Sequence, residues 1–235
     1  MLIRIILLTL LPIFSTAQTR QEFWSRLTIS KKIDEKWNLG GDVQYRSQEN
    51  YHLPNNQRFE NDLLQSIRLT AFYKVSEKHK LSLIASPIVY FRSFDINSEG
   101  NSTDQREYRW VVGIMQQYTI LKKIHLRNRL QYEMRFLRID SPNMTLQHRP
   151  RWQLQATIPL WKINQNFRIN YLVFDEIFVA NQENRTFFEQ NRFYNALQFR
   201  YNFVELNVGL QKSVQKVRED WIRRNQWHIS ANFVL

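Results

Sequence analysis

The chain has 235 residues, a formal net charge of +12 and no cysteine. The lack of cysteine excludes a disulfide-stapled secreted domain and a lipoprotein anchored through a lipidated cysteine. A mean hydropathy of −0.51, with no apolar run of about eighteen residues after the first segment, excludes transmembrane helices.

Residues 1–17 have the pattern of a secretory signal peptide. A single arginine precedes the apolar stretch 5–14, and small side chains follow as far as Ala17. The stretch is too short to span a bilayer, and the small side chains fit the subsites of signal peptidase. We therefore expect cleavage before Gln18 and an exported mature domain over residues 18–235.

The mature chain consists of segments in which apolar and polar residues alternate. The last segment shows this most clearly, with Trp227 and Ile229 on one face and Gln226 and His228 on the other. Period-two alternation is typical of a β-strand and does not fit a helix. Eleven such segments are predicted, over residues 23–29, 37–45, 63–75, 81–91, 108–120, 126–136, 147–160, 167–177, 193–201, 206–214 and 221–235.

The connections between these segments alternate between short and long. Tight turns are predicted near 31–36, 76–79, 121–124, 161–166 and 202–205, and longer polar loops near 48–60, 94–106, 138–145, 180–190 and 215–220. This exchange is typical of outer-membrane barrels, which have their turns in the periplasm. We predict an all-β, antiparallel up-and-down transmembrane β-barrel of about 10 to 12 strands. The exact number stays open, because eleven segments are predicted whereas bacterial barrels usually have an even number of strands.

The environment of such a barrel is the bacterial outer membrane, with its lipid and lipopolysaccharide and its assembly machinery as partners. Aromatic residues near segment ends are candidates for the interfacial girdles. They are Trp24, Trp37, Tyr45, Trp110, Trp161, Tyr201 and Trp221.

The sequence resembles a family of uncharacterised bacterial outer-membrane barrels, domain of unknown function family 2490. The matching patterns are 22–24 (Glu-Phe-Trp), 36–42 (Lys-Trp-Asn-Leu-Gly-Gly-Asp) leading to Tyr45 and Arg46, 132–136 (Tyr-Glu-Met-Arg-Phe) with Arg138, 149–151 (Arg-Pro-Arg) and the aromatic last strand. The resemblance covers nearly the whole mature chain. It implies a membrane barrel of unknown role and supplies no catalytic residues.

Charged residues recur on the polar faces of the segments, which face the lumen in a membrane barrel. The predicted lumen charge network consists of Arg46, Arg68, Arg109, Arg127, Arg129, Glu133, Arg135, Arg149, Arg151, Arg168, Glu176, Arg200 and Arg224, and Asp42, Asp62 and Glu107 belong to corresponding faces. Two hypotheses follow. The charges form either a crosslinked ion-pair plug or a narrow anion-preferring pore.

Two histidines raise the alternative of a lipid-active outer-membrane enzyme. His228 and Ser230 lie two residues apart on one strand face, which resembles the His-x-Ser arrangement of lipid A deacylases. Their place near the end of the chain favours polar packing in the lumen. His148, near a loop with Ser141, favours contact with lipid phosphates over catalysis. We predict that the chain is not an enzyme.

Other classes are less favoured. The five histidines are scattered and thiolates are absent, so no metal site or cofactor is predicted. Export and the spread of cations along the strands argue against nucleic acid. A soluble lipocalin-like binder stays as a further alternative, since it would turn its apolar faces inward. The oligomeric state is left open.

Overall fold

The computed structural model describes residues 19–49, 59–76, 81–94, 96, 104–121, 123–139, 143–182, 185–217 and 220–235. Eleven strands run along it: β1 (Thr19–Lys32), β2 (Trp37–Gln48), β3 (Asn61–Ser76), β4 (Leu81–Ser93), β5 (Gln105–Ile120), β6 (Ile124–Ile139), β7 (Thr145–Lys162), β8 (Phe167–Gln182), β9 (Arg185–Tyr201), β10 (Val204–Val217) and β11 (Asp220–Val234). Among the described residues, no helix is long and apolar enough to cross a membrane. The predicted signal peptide lies outside them.

All eleven predicted segments are strands, and each strand extends beyond the predicted bounds at one or both ends. The extension matters most where long loops were expected. Strand β8 reaches Gln182 and β9 begins at Arg185, and β10 and β11 are likewise separated by only two residues. The predictions of long loops at 180–190 and 215–220 were therefore wrong, because polar residues there continue the ladders instead of leaving them.

The strands close into one barrel in sequence order. Ten of its neighbouring pairs are antiparallel, but the seam between β1 and β11 is parallel, with Thr19 opposite Arg223 and Ser30 opposite Val234. An odd count requires this, because the first and last strands of an eleven-strand meander run the same way. The expected antiparallel arrangement thus holds everywhere except at the seam.

Side-chain alternation divides the barrel into an apolar outer face and a polar lumen. On β11, Trp227 is 53% exposed and Ile229 is 40% exposed, whereas Gln226 is 2% exposed and Ser230 is 4% exposed. Closure removes both free edges of the sheet. This distribution is the reverse of the one a soluble lipocalin-like binder requires.

A bulge overturns one assignment of the sequence analysis. The register between β2 and β3 shifts after Arg46, which lies opposite Leu64, so that Ser47 lies opposite Asp62. The extra residue, Leu63, lies between Asp62 and Leu64 on β3 and reverses the facing of Asp62 relative to the rest of the strand. Asp62 therefore points outward, where it accepts a hydrogen bond from Tyr45 Oη at 2.6 Å. The lumen prediction for Asp62 was wrong.

Two tight turns, 33–36 and 163–166, share one geometry. In the first, Asp34 Oδ1 accepts hydrogen bonds from the backbone nitrogens of Lys36 and Trp37, both at 2.7 Å. In the second, Asn164 Oδ1 accepts them from Asn166 and Phe167 at 2.9 and 2.8 Å. Such side-chain bonds fix tight turns. We call the end of the barrel that carries these turns the tight-turn end, and the opposite end the loop end.

The parallel seam is testable by crosslinking, since the chain has no cysteine of its own. Ser25 is the partner of Ile229, and Ile29 is the partner of Phe233. Neighbouring strands lie about 4.7–4.9 Å apart, within the Cα range of a disulfide. We expect both double-cysteine variants, Ser25→Cys with Ile229→Cys and Ile29→Cys with Phe233→Cys, to crosslink on oxidation, as seen by gel mobility. An antiparallel seam would allow only one of the two.

The Asp34 turn predicts a pH effect. The backbone amides of Trp37 and Lys36 hold the pKa of Asp34 below its usual value of 3.8. A lowered pKa stabilises the fold above pH 3.8, and this contribution is lost as the pH falls through the folded value. We expect Asp34→Ala to lower the urea midpoint more at pH 7 than at pH 2.5. The same substitution at Asn164 is the control, because its amide does not titrate and its effect should not change with pH.

Candidate functional site

The lumen near the loop end is filled by a buried network of ion pairs, and Glu133 on β6 is its centre. Its side chain is 1% exposed. Arg149 donates to Glu133 Oε2 through Nε at 2.8 Å and through Nη2 at 2.5 Å. Arg151 Nη1 lies 3.2 Å from Oε1, and Arg109 Nη1 lies 3.7 Å from Oε2. Three strands, β5 to β7, are thereby crosslinked through one carboxylate.

Glu107 and Glu189 extend the network around Arg135. Arg135 Nε lies 2.5 Å from Glu107 Oε1, and its Nη1 lies 2.9 Å from Glu189 Oε1. Glu107 also pairs with Arg109 on its own strand, with Nη2 of Arg109 at 2.8 Å from Oε2. Arg149 Nη1 lies 3.1 Å from Glu189 Oε2. The contacts to Glu189 carry the crosslinks across the lumen to β9.

Glu176 on β8 holds the deeper part of the network. Arg129, Arg151 and Arg192 approach its carboxylate at 3.4, 3.7 and 3.9 Å. The ring of Phe178, which is 0% exposed, lies among guanidinium groups. The Cζ atoms of Arg192, Arg149 and Arg151 are 4.5, 5.0 and 5.8 Å from its centroid. An aromatic face stabilises cations where no further carboxylate is near.

We call this set the arginine–glutamate network. It comprises Glu107, Glu133, Glu176 and Glu189 with Arg109, Arg129, Arg135, Arg149, Arg151 and Arg192. Six guanidinium groups share four carboxylates, so the network carries an excess of positive charge.

A second cluster lies against the seam. Arg224 Nη1 donates to Glu22 Oε1 across the β1–β11 pair, and Gln226 donates to the other oxygen. Arg46 Cζ lies 3.5 Å from the centroid of the Trp24 ring. Trp24 is only 6% exposed and faces the lumen, so its prediction as a girdle residue was wrong. It shares the alternation of Glu22, which places both inside the barrel.

Nearer the tight-turn end, Asp42 pairs with two arginines. Arg68 Nε lies 2.8 Å from Asp42 Oδ2, and Arg26 Nε lies 3.1 Å from Oδ1. Arg127 instead donates through Nη2 to the amide oxygen of Gln155. Among the ion pairs of the described residues, none involves Arg127.

The structure places the predicted lumen residues in three kinds of position. Most of them enter the arginine–glutamate network. Arg46, Arg68, Arg127 and Arg224 line the lumen outside it. Arg168 and Arg200 lie exposed at the tight-turn rim, where Arg200 Nε is 3.4 Å from Glu205.

Sequence reasoning missed several lumen residues, namely Glu22, Arg26, Glu189 and Arg192. For Arg26 and Arg192 the signal was present, since each continues the alternation of its strand. Glu189 carried no such signal, because the register between β8 and β9 shifts near Phe178.

The two candidate histidines, His148 and His228, each lie beside a tyrosine hydroxyl, and Ser141 lies outside the described residues. His228 Nδ1 lies 2.8 Å from Tyr194 Oη, and Ser230 Oγ lies 3.0 Å from Asn207 Nδ2. Both side chains face the lumen. His148 Nδ1 lies 2.7 Å from Tyr132 Oη on the outer face. Within the described ranges there is no group of three or more His, Asp and Glu that fits a metal ion.

Three cavities follow one another along the lumen. The one at the tight-turn end measures about 610 Å³, the middle one about 200 Å³ and the one near the loop end about 140 Å³. The first two share Arg26, Arg127 and Arg129, and the last two share Arg46, Arg109 and Arg192. The lumen is wide at one end and nearly filled at the other.

Fold and site together define a closed β-barrel with an apolar outer face and an arginine-rich lumen. The chain belongs to the protein family described as a protein of unknown function (DUF2490), whose model matches residues 21–223. This confirms the resemblance seen in the sequence.

Two further comparisons were made. No match was found among curated proteins. Among solved structures, LpxR from Salmonella typhimurium is similar with 8% identity over 83% of each chain and a TM-score of 0.46.

Removing the charge of Glu133, at the centre of the network, should greatly lower stability. Glu133→Gln keeps the shape of the side chain but leaves buried guanidinium groups without their carboxylate. We expect the free energy of unfolding to fall by about 3–5 kcal/mol, measured by urea titration of the barrel folded in detergent.

The matched control is Asp104→Asn. Asp104 Oδ2 lies 3.0 Å from Arg92 Nη2, and both side chains are 41% exposed. Because both charges stay solvated, this pair should contribute little to stability, and its loss should change the urea midpoint far less than the loss of Glu133. Equal losses in the two variants would contradict the central role of Glu133.

Proposed function

We propose that the protein is an outer-membrane β-barrel whose lumen is narrowed by the arginine–glutamate network to a passage that prefers anions. The observation that carries the proposal is the buried excess of guanidinium groups over carboxylates inside a barrel with an apolar exterior. The buried guanidinium groups would then both hold the strands together through ion pairs and attract anions into the lumen.

The outer face supports the membrane setting. Large apolar side chains are exposed there on ten of the eleven strands, and exposing so much apolar surface to water costs about 25 cal/mol per Å². Aromatic residues gather near the tight-turn end, where Trp37 is 43%, Trp161 is 63% and Tyr201 is 55% exposed. Trp110 and Trp221 lie closer to the loop end and are 56% and 40% exposed. Two aromatic belts flanking an apolar band are typical of transmembrane barrels.

The strand number supports a narrow passage. Eight strands leave room only for packed side chains, whereas sixteen or more leave an aqueous channel. In this eleven-strand barrel, ion pairs of Arg135 and Arg149 with Glu189 cross the lumen from β6 and β7 to β9. The ion pairs hold these long side chains in place, because releasing one partner would leave the other charge buried and unpaired.

The chain of cavities supports the preference for anions. A solute passing from the wide end to the loop end meets Arg127 and Arg129, then Arg192 and Arg109. Rings of arginine favour anions in pores. Arg127 matters most at the entrance, since it has no carboxylate partner among the described residues.

Single-channel recording in planar lipid bilayers tests the proposal. We expect the wild-type protein to give a small conductance whose reversal potential in a KCl gradient shows chloride preference. Because Arg127→Glu reverses an unpaired charge at the entrance, it should reduce the chloride-to-potassium permeability ratio about two-fold or more.

Arg168→Glu is the control, since it makes the same change of charge at the exposed tight-turn rim. A wild-type barrel that passes no current, or one that prefers potassium, would overturn the proposal. So would equal effects of the two variants.

A further inference from the structure

The cavity at the tight-turn end has the size of a ligand site. Its volume of about 610 Å³ falls within the range of about 300–1,000 Å³ found for small-molecule pockets. Residues close to the strand ends, such as Asn38, Gln117 and Asn232, line its mouth, and Tyr194 and His228 lie deeper. A ligand would therefore enter from the tight-turn end.

The walls of this cavity alternate in character around the barrel. On β3, β4 and β5 the apolar lining side chains are Phe72, Ile84 and Met115, and Arg68, Thr70, Ser86 and Gln117 line the cavity beside them. On β8 the apolar lining side chains are Leu172 and Phe174. We call these two groups of apolar side chains the apolar walls of the cavity. The strands between them contribute polar and charged groups on both sides. Apolar side chains do not contribute to an aqueous channel, so this lining favours a ligand that has an apolar part.

The charged groups of the cavity are not balanced. Arg26, Arg68, Arg127 and Arg129 line it, and the carboxylates among its described lining residues are Asp42 and Glu205. Asp42 is shared by Arg26 and Arg68, whereas the carboxylate of Glu176 serves Arg129 together with two other arginines.

On β6 the imbalance is local. The Nε atoms of Arg127 and Arg129 are buried and have no hydrogen-bond partner in the structure. Arg127 also has no carboxylate partner within the described part of the chain. Both arginines line the cavity on one strand face, so their guanidinium groups favour an anion beside them.

We propose that this cavity binds an amphipathic organic anion, with its charged group at Arg127 and Arg129 and its apolar body against one of the two apolar walls. The inference rests on the proposed function, because it needs the same anion-accepting lumen, and it deepens that function by naming the class of anion. A small inorganic anion would use the arginines but leave both apolar walls wet. A neutral apolar compound would leave the two donors unsatisfied.

Ligand titration followed by ¹⁹F NMR tests the proposal on the full barrel, folded in a detergent with an uncharged head group. The probe is 4-fluorobenzoate, which combines a carboxylate with an aromatic ring. Two matched comparisons separate its parts: 4-fluorobenzamide lacks the charge, and acetate, measured by competition, lacks the ring. We expect each to bind about tenfold or more weakly than 4-fluorobenzoate.

Variants locate the site. Arg127→Gln should weaken 4-fluorobenzoate about tenfold or more and leave 4-fluorobenzamide unchanged. Arg127→Lys, which keeps the charge, should weaken it less, and Arg168→Gln, outside the cavity, should have no effect. Heat-dependent migration on a gel checks that each variant is folded.

Equal binding of 4-fluorobenzoate and 4-fluorobenzamide would overturn the proposal, because it would show apolar partition alone. Binding of acetate as tight as that of 4-fluorobenzoate would overturn it in favour of a simple anion site, and an unaffected Arg127→Gln would place the ligand elsewhere. The proposed function is judged separately by ion selectivity. An anion-selective barrel that does not bind 4-fluorobenzoate contradicts only this inference, and a barrel that binds it without passing current contradicts only the passage.

Discussion

The burial of arginine charge inside the barrel governs the rest of the structure. A guanidinium group removed from water needs a carboxylate or an aromatic face nearby, since an unpaired buried charge is strongly destabilising. Glu133 meets this need for three arginines at once, and Phe178 offers its ring to three. The strands that carry these groups are thereby held in one register by side chains as well as by the backbone ladder.

This arrangement makes the two halves of the lumen differ. Near the loop end, carboxylates are numerous enough to lock the arginines into a rigid filling. Towards the tight-turn end they become scarce, and Arg127 donates to the amide of Gln155 and has no ion pair within the described part of the chain. Arginine therefore fills the lumen near the loop end, where carboxylates lie beside it. Near the tight-turn end, where carboxylates are fewer, arginine lines an open cavity instead.

Most of the fold was predictable because alternation is a local property of the sequence. The faces of β6, β7 and β11 could be assigned residue by residue, and half of the network followed from β6 and β7. Non-local features could not be found in this way. The bulge that turns Asp62 outward, the register shift before Glu189 and the parallel seam all depend on partners distant in the chain. Trp24 was misassigned because an aromatic near a strand end suits both a girdle and a stacked position beside Arg46.

The parallel seam separates the two ends of the folded domain. Thr19 lies at the loop end, while Leu235 is held at the tight-turn end by a hydrogen bond from its backbone nitrogen to Ser30 O at 2.8 Å. In a barrel with an even strand count both would emerge on the same side. Here a label attached at Thr19 and a label attached at Leu235 would lie at opposite ends of the barrel. A linker that joined these two residues in a circular permutation would have to be as long as the barrel.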